Sequence, residues 1–140
     1  MRWYGNAYWV SVSAELGFID RLRAFATHPA ARGLNDDAAL LQVGAARLII
    51  THDTLVEDVH FLPTDPPESV AWKLLAVNLS DLAAKGGTPR AAIMSYTLRD
   101  DNEWDASFAA GLNAALAHFD VPLIGGDTVC APTRMLGLTL

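Results

Sequence analysis

The stretch between Asp65-Pro66-Pro67-Glu68 and Gly86-Gly87 limits what this chain can fold into more than any other part of it. Two prolines followed by an acidic residue make a helix start, because proline is tolerated where first-turn N–H groups lack partners, and the paired glycines make a stop. Between them Trp72, Leu75, Leu79 and Leu82 recur at helical spacing. The spacing predicts one long buried helix, and such a helix needs other layers of structure to cover it.

Those layers are readable on both sides of it. Upstream, Ser13 reads as a helix N-cap, with Glu15 in the first turn and Leu16, Ile19, Leu22 and Ala26 at helical spacing until His28-Pro29 stops the run. After the loop holding Asn35-Asp36-Asp37, the runs 38–43 and 48–51 flank Gly44-Ala45-Ala46-Arg47 and read as a hairpin whose second strand ends at His52-Asp53. Downstream, 90–98 reads as a strand and 102–119 as an amphipathic helix with Phe108, Leu112, Ala115 and Phe119 on one face. A short buried strand over 121–124 and another beginning at Met135 complete the order. This order predicts an α+β fold, a two-layer α/β sandwich in which helices cover one face of a mixed sheet. Residues 1–12, with Trp3, Tyr4, Tyr8 and Trp9, show no sustained period and read as an irregular extension to one domain over 13–140. The sequence stops inside the apolar run from Met135 to Leu140, with no turn, cap or polar tail, which predicts a missing C-terminal domain.

Charge and composition narrow the function. A formal charge of −6 and only two lysines, Lys73 and Lys85, argue against nucleic acid as a partner. No run reaches the length of a membrane span, and no basic segment followed by an apolar stretch marks a secretory signal, so no membrane partner and a cytoplasmic location are expected. The single cysteine, Cys130, has no internal disulfide partner and no zinc-ligand neighbours at suitable spacing, and it reads as a small hydrophobe.

The sixteen acidic residues are twelve Asp and four Glu. Aspartate holds its carboxylate close to the backbone at strand ends and helix starts, where a hard cation can be shared with substrate phosphates. Asp36-Asp37, Asp53, Asp81 and Asp127 all sit where such an element meets a loop or face, although paired or lone aspartates there also serve as solvated turns. Asp81 is the most pointed of them, because it lies inside the long helix with Asn78 one turn before it and Ser80 beside it, and aspartate is a poor interior helix residue. Either that face is exposed or the helix breaks near Asn78, or Asn78 and Asp81 point together at a cation. Gly125-Gly126-Asp127-Thr128 follows a buried strand, which suits a tight turn or a close backbone approach to phosphate. Neither G-x-x-x-x-G-K-[ST] nor a G-x-G-x-x-G opening a helix is present, so any phosphate site is of another kind. Several aspartates without a cysteine–histidine cluster favour Mg2+ over zinc. His60 is not selected by chemistry alone, and no G-x-S-x-G elbow supports a serine nucleophile.

Taken together, five ordered blocks resemble the thiamine-monophosphate kinases, relatives of aminoimidazole-ribonucleotide synthetase and selenophosphate synthetase. They are Asp36-Asp37-Ala38-Ala39, Thr51-His52-Asp53-Thr54-Leu55-Val56-Glu57, His60-Phe61-Leu62-Pro63, the segment 76–84, and Leu123-Ile124-Gly125-Gly126-Asp127-Thr128. The resemblance runs from about Phe18 to Leu140. It implies Mg2+-assisted transfer of the γ-phosphoryl group of ATP to thiamine monophosphate, with several Mg2+ ions clamping the developing charge. Carried over by position, it implies metal-site roles for Asp37, Thr51, His52, Asp53, Asp81 and Asp127, a nucleotide contact at Gly126 and Asp127, and a substrate contact at His60. It also implies a homodimer formed through this N-terminal domain, and an isolated 140-residue chain without kinase activity.

Overall fold

The computed structural model describes residues 12 to 140; the expected extension falls outside the described residues up to residue 11. Helix α1 (Val12–Arg23) is followed by a 3-10 turn (Pro29–Leu34) that His28 caps by accepting from the Ala30 N–H. Strands β1 (Ala38–Val43) and β2 (Ala46–Val56) form the expected hairpin. Its two-residue turn places Gly44 at φ 57°, a left-handed conformation that glycine reaches without a Cβ penalty. The long helix α2 (Pro67–Ala84), strand β3 (Ala92–Leu98), helix α3 (Asn102–His118), strand β4 (Leu123–Cys130) and strand β5 (Met135–Thr139) complete the chain.

The five strands lie in the order β1-β2-β5-β3-β4. Only β3 and β4 run parallel, joined through α3, and the other neighbours are antiparallel, so the sheet is mixed as expected. Alternate residues Leu55 of β2, Leu136 and Leu138 of β5, and Ala92 and Tyr96 of β3 turn to one face. There they meet Val70, Ala71, Leu74 and Leu75 of α2 and Trp104, Phe108, Leu112, Ala115 and Leu116 of α3. Each fully buried large side chain, such as Phe108, Leu74 or Leu136, contributes about 1.5–3 kcal/mol on leaving water. The two helices cover that face, and among the described residues the opposite face is open.

Helices α2 and α3 approach closely at Gly111. A Cβ there would stand 2.4 Å from Glu68 Cα and 2.9 Å from its carbonyl oxygen, both rigid backbone. Replacing an interior helix glycine by alanine ordinarily stabilises by about 0.8–1.0 kcal/mol. Gly111→Ala is expected to reverse that sign, because forcing the helices apart costs about 1–3 kcal/mol. Urea denaturation checks it: a variant as stable as the parent refutes the close approach.

Three expectations change. Helix α1 begins at Val12, with Ser13 inside it, and ends at Arg23, because the Phe25 and Ala26 N–H groups both turn back to the Leu22 carbonyl. Its apolar residues Leu16, Phe18 and Leu22 stay exposed instead of joining the core. Strand β2 runs past His52-Asp53 to Val56, since β5 continues to pair with it where β1 stops. Strand β4 absorbs the glycines expected in a turn, as described below. Among the described residues no helix is long and apolar enough to cross a membrane.

Candidate active site

The pairing β1–β2 ends at Ala38 opposite Thr51, whereas β2–β5 pairing continues to Val56. Among the described residues, β2 therefore has one edge without a strand beside it from His52 to Val56. Thr51 donates its backbone N–H to Leu140 and Glu57 donates to Arg134, so the backbone N–H groups of odd-numbered residues point toward β5 and those of Thr54 and Val56 toward the vacant edge. The aspartates of interest gather at the start of this edge.

Asp53 projects to the helix-covered face, the same as Thr51 and Leu55. Burial is the main cause that pushes its carboxyl above the ordinary carboxylate range, the nearby Asp81 carboxylate of α2 the second, and Asp37 a further one. Its Oδ2 is buried and, among the described residues, has no hydrogen-bond partner. A buried, unpartnered carboxylate oxygen beside a second carboxylate is costly unless a cation or proton answers it. The chain before β1 brings Asp37 to this corner. Arg23 at the end of α1 donates from Nε to the Gly33 carbonyl at 2.8 Å and from Nη2 to Asn35 at 2.7 Å, and Asp36 is tied to Lys85 at 2.7 Å and Arg32 at 3.2 Å. Those cations, led by the Lys85 hydrogen bond, hold the Asp36 carboxyl below its usual range. Asp36 is thus neutralised by protein cations, and Asp37, exposed, is left for the site.

Asn78 does not point at a cation with Asp81. It is completely buried, accepts from the Thr51 hydroxyl at 3.1 Å and donates to the Leu74 carbonyl at 3.0 Å. It locks α2 onto β2 and so fixes where Asp81 stands relative to Asp53. Thr51 is likewise fully buried, with its hydroxyl proton given to Asn78. Helix α2 is unbroken at this point, and Ser80 is exposed.

His52 and Asp127 lie on the opposite, open face. Both ring nitrogens of His52 are engaged by hydroxyls, Nδ1 with Thr139 at 2.8 Å and Nε2 with Thr54 at 3.4 Å. Asp127 is level with Ser95, Gly137 and Thr54 across the sheet. Gly137 keeps this row open, because a Cβ there would stand 2.3 Å from Ser95 Oγ and 3.3 Å from the His52 ring. Three strand spacings, roughly 14 Å, separate Asp127 from the Asp53 level, and the structure does not bring the two carboxylates together. Gly125-Gly126-Asp127-Thr128 is extended edge strand, not a turn, and Gly126 is needed because a Cβ there would stand 2.0 Å from the Met94 carbonyl oxygen.

The sequence matches the family model described as AIR synthase related protein, N-terminal domain, over residues 35–140. The chain belongs to this family. Its matched span begins at the loop that delivers Asp36-Asp37 and includes every strand and both covering helices. It is 39% identical over 134 residues to a thiamine-monophosphate kinase of Synechococcus elongatus, covering 93% of this chain and 40% of that protein. To the thiamine-monophosphate kinase of Escherichia coli strain K12 it is 47% identical over 105 residues, covering 74% of this chain and 32% of the relative. A solved structure of AaThiL complexed with AMPPCP and TMP superposes with a TM-score of 0.82 at 27% identity, over 95% of this chain and 43% of that one. The chain thus spans less than half the length of these relatives.

Within this AIR synthase related domain, His60 stands at the far end of the vacant β2 edge. Its Nδ1 accepts the Val56 N–H at 3.0 Å, one of the edge donors that no strand satisfies. Asp53 and Val56 are three residues apart, about 10 Å along a strand, so the carboxylates and the imidazole mark the two ends of one edge. Sequence reasoning missed the base of the turn carrying His60. Glu57 is buried and takes a hydrogen bond from Arg134 Nη1 at 2.9 Å and another from Arg99. Arg134 also reaches Asp101 at 2.8 Å and lies over the Trp104 ring at 4.2 Å. Burial pulls the Arg134 guanidinium down, and the hydrogen bonds to Glu57 and Asp101 more than offset it. The only sequence signal was two arginines and two acids scattered near strand ends.

The residues fit a hard cation in part. Among the described residues no group of three or more His, Cys, Asp or Glu side chains is placed to hold a metal by itself. Magnesium does not need one, since it is commonly bound through one or two carboxylates with water and substrate phosphates filling the other positions. Asp53 and Asp81, with the orphaned Asp53 Oδ2, offer that partial set.

Proposed function

We propose that residues 13–140 form the Mg2+- and ATP-binding N-terminal domain of a thiamine-monophosphate kinase, which transfers the γ-phosphoryl group of ATP to the phosphate of thiamine monophosphate. The products are thiamine diphosphate and ADP. The observation that carries the reading is the Asp53–Asp81 carboxylate pair, with its buried unpartnered oxygen, at a vacant strand edge in a chain 47% identical to an enzyme of that name.

In this reading Asp53, Asp81 and Asp37 hold Mg2+ at the helix-side corner, with Thr51 beside them. Mg2+ supplies charge neutralisation where two anionic phosphates must meet. Asp127, with Gly126 next to it, contacts the nucleotide and a further ion from the open face, and since hydroxyls take both ring nitrogens of His52, any metal role of that residue falls to its backbone. His60 contacts the acceptor phosphate. The protein's own task is to position two phosphates along one edge, which lowers the entropic part of the barrier. The open face also carries Leu48, Ile93, Val129 and Met135, all substantially exposed. Exposed apolar side chains on the uncovered face of a sheet support pairing with a second copy of the chain, and we read the domain as homodimeric and cytoplasmic.

The test is ADP release with thiamine monophosphate and Mg·ATP, run on the 140-residue chain and on the full reading frame. Turnover in the full protein alone is the expected result. No turnover in either, with both folded, discards thiamine monophosphate as the acceptor.

A further inference from the structure

Resting on the reading of His60 as the acceptor contact, we propose that Lys73 and the turn 57–61 are a positioning device that fixes His60 as a one-way hydrogen-bond donor, through Nε2–H, to a phosphate oxygen of the acceptor. Because Nδ1 accepts the Val56 N–H at 3.0 Å, it carries no proton, and the neutral ring holds its hydrogen on Nε2. The side chain is exposed, so that N–H faces outward and seeks an acceptor.

The turn beneath the ring is closed on itself. The Val56 carbonyl accepts from both Val59 and His60 N–H groups, at 3.1 and 2.8 Å, and Asp58 donates to the Phe61 carbonyl at 2.8 Å. Asp58 adopts φ 66°, a left-handed conformation that aspartate tolerates better than most residues. Both feet are anchored: Glu57 through Arg134 and Arg99, and Phe61 by burial against Trp104 at 6.2 Å between ring centroids. A further contact comes from α2 and reaches His60 itself. Lys73 of α2 donates its ammonium to the His60 carbonyl, holding the residue that bears the ring from the helix side. Lys73 is exposed, so removing it leaves the core intact and tests positioning alone.

The experiment uses the full-length protein and two readouts. Imidazole nitrogen shifts in 15N-histidine-labelled protein should show Nδ1 bare and Nε2 protonated at neutral pH, whatever the activity. A protonated Nδ1 overturns the proposal. In steady-state kinetics, Lys73→Met should raise KM for thiamine monophosphate about tenfold, with KM for ATP unchanged, as expected for weakening one charge-assisted hydrogen bond. Lys73→Arg, which keeps the charge and a donor, should restore most of it. The deciding comparison is Lys73→Met/His60→Ala, which should be no worse than His60→Ala, because residues acting through one contact are not additive. Additive losses, or an unchanged KM in Lys73→Met, overturn it. Should the protein turn over no thiamine monophosphate, the enzymatic reading is what has failed. The inference is then decided by titrating thiamine monophosphate against the His60 Nε2 signal: movement that weakens in Lys73→Met supports it, and no movement overturns it.

Discussion

Asp53→Asn in the full-length protein is expected to lower kcat by about 10²- to 10³-fold, the loss typical of removing one preorganised electrostatic contact to developing charge. The fold is expected to survive and, without divalent cations, to gain stability. Asparagine has nearly the same shape, and at this position the carboxylate is half-buried, with Oδ2 buried and unpartnered, and close to Asp81. The folded state raises the Asp53 pKa above its unfolded value, so the ionised form costs stability at neutral pH, and that cost falls away as pH drops through the folded pKa. Asp36 and Asp101 act in the opposite sense. Asp36 is lowered mainly by its hydrogen bond from Lys85 and Asp101 mainly by the Trp104 N–H it caps, and their contributions are present above the unfolded pKa and lost as pH falls through the folded one. In EDTA, stability should therefore rise on mild acidification from neutral pH and then fall. Mg2+ should raise the melting temperature of the parent and do little for Asp53→Asn, since the ion stabilises only by binding the folded state. Equal Mg2+ shifts in the two proteins remove Asp53 from the metal site, whatever the kinetics show.

The sequence was most informative where local signals agreed with tertiary need. Helix α2 runs between its prolines and glycines because its periodic leucines find β2 and β5 to cover, and α3 likewise spans 102–118. Strand lengths were harder, because they depend on partners far away in the chain. β2 extends to Val56 only because β5, some eighty residues later, pairs with it, and that extension creates the vacant edge on which the candidate site lies. The aspartates could be singled out by residue type, but not sorted. Period-two alternation puts Asp53 with Asp81 on one face and His52 with Asp127 on the other, and only the register reveals it. Asn78 shows the converse error. Helical spacing placed it correctly beside Asp81, but its amide was needed to satisfy Thr51 and Leu74 inside the core. Long-range ion pairs such as Glu57–Arg134 join residues 77 positions apart, with no local pattern to announce them.

That pair carries the largest stability effect we expect. Arg134→Ala should destabilise the protein by roughly 3–5 kcal/mol, because breaking a buried ion pair leaves a charge without compensation. Arg134 is itself buried, and it serves three partners: Glu57 at the base of the His60 turn, Asp101 at the start of α3, and the Trp104 ring beneath it. Its loss strands the Glu57 carboxylate with only Arg99, which is partly exposed, and removes one of the contacts that hold Asp101 where it caps α3. The attribution to charge, not packing, is testable with Glu57→Leu/Arg134→Met. Apolar replacement of both partners removes the desolvation cost along with the attraction, so the double variant should recover most of the stability lost by Arg134→Ala. Urea titration of the three proteins separates the cases. A double variant as unstable as the single one means that packing of the guanidinium on Trp104 dominates. A single variant within about 1 kcal/mol of the parent, the scale of an exposed ion pair, means that water reaches Glu57 despite its burial. If the double variant is stable yet shows a raised KM for thiamine monophosphate, the ion pair matters less for holding the fold together than for holding the His60 turn in one place.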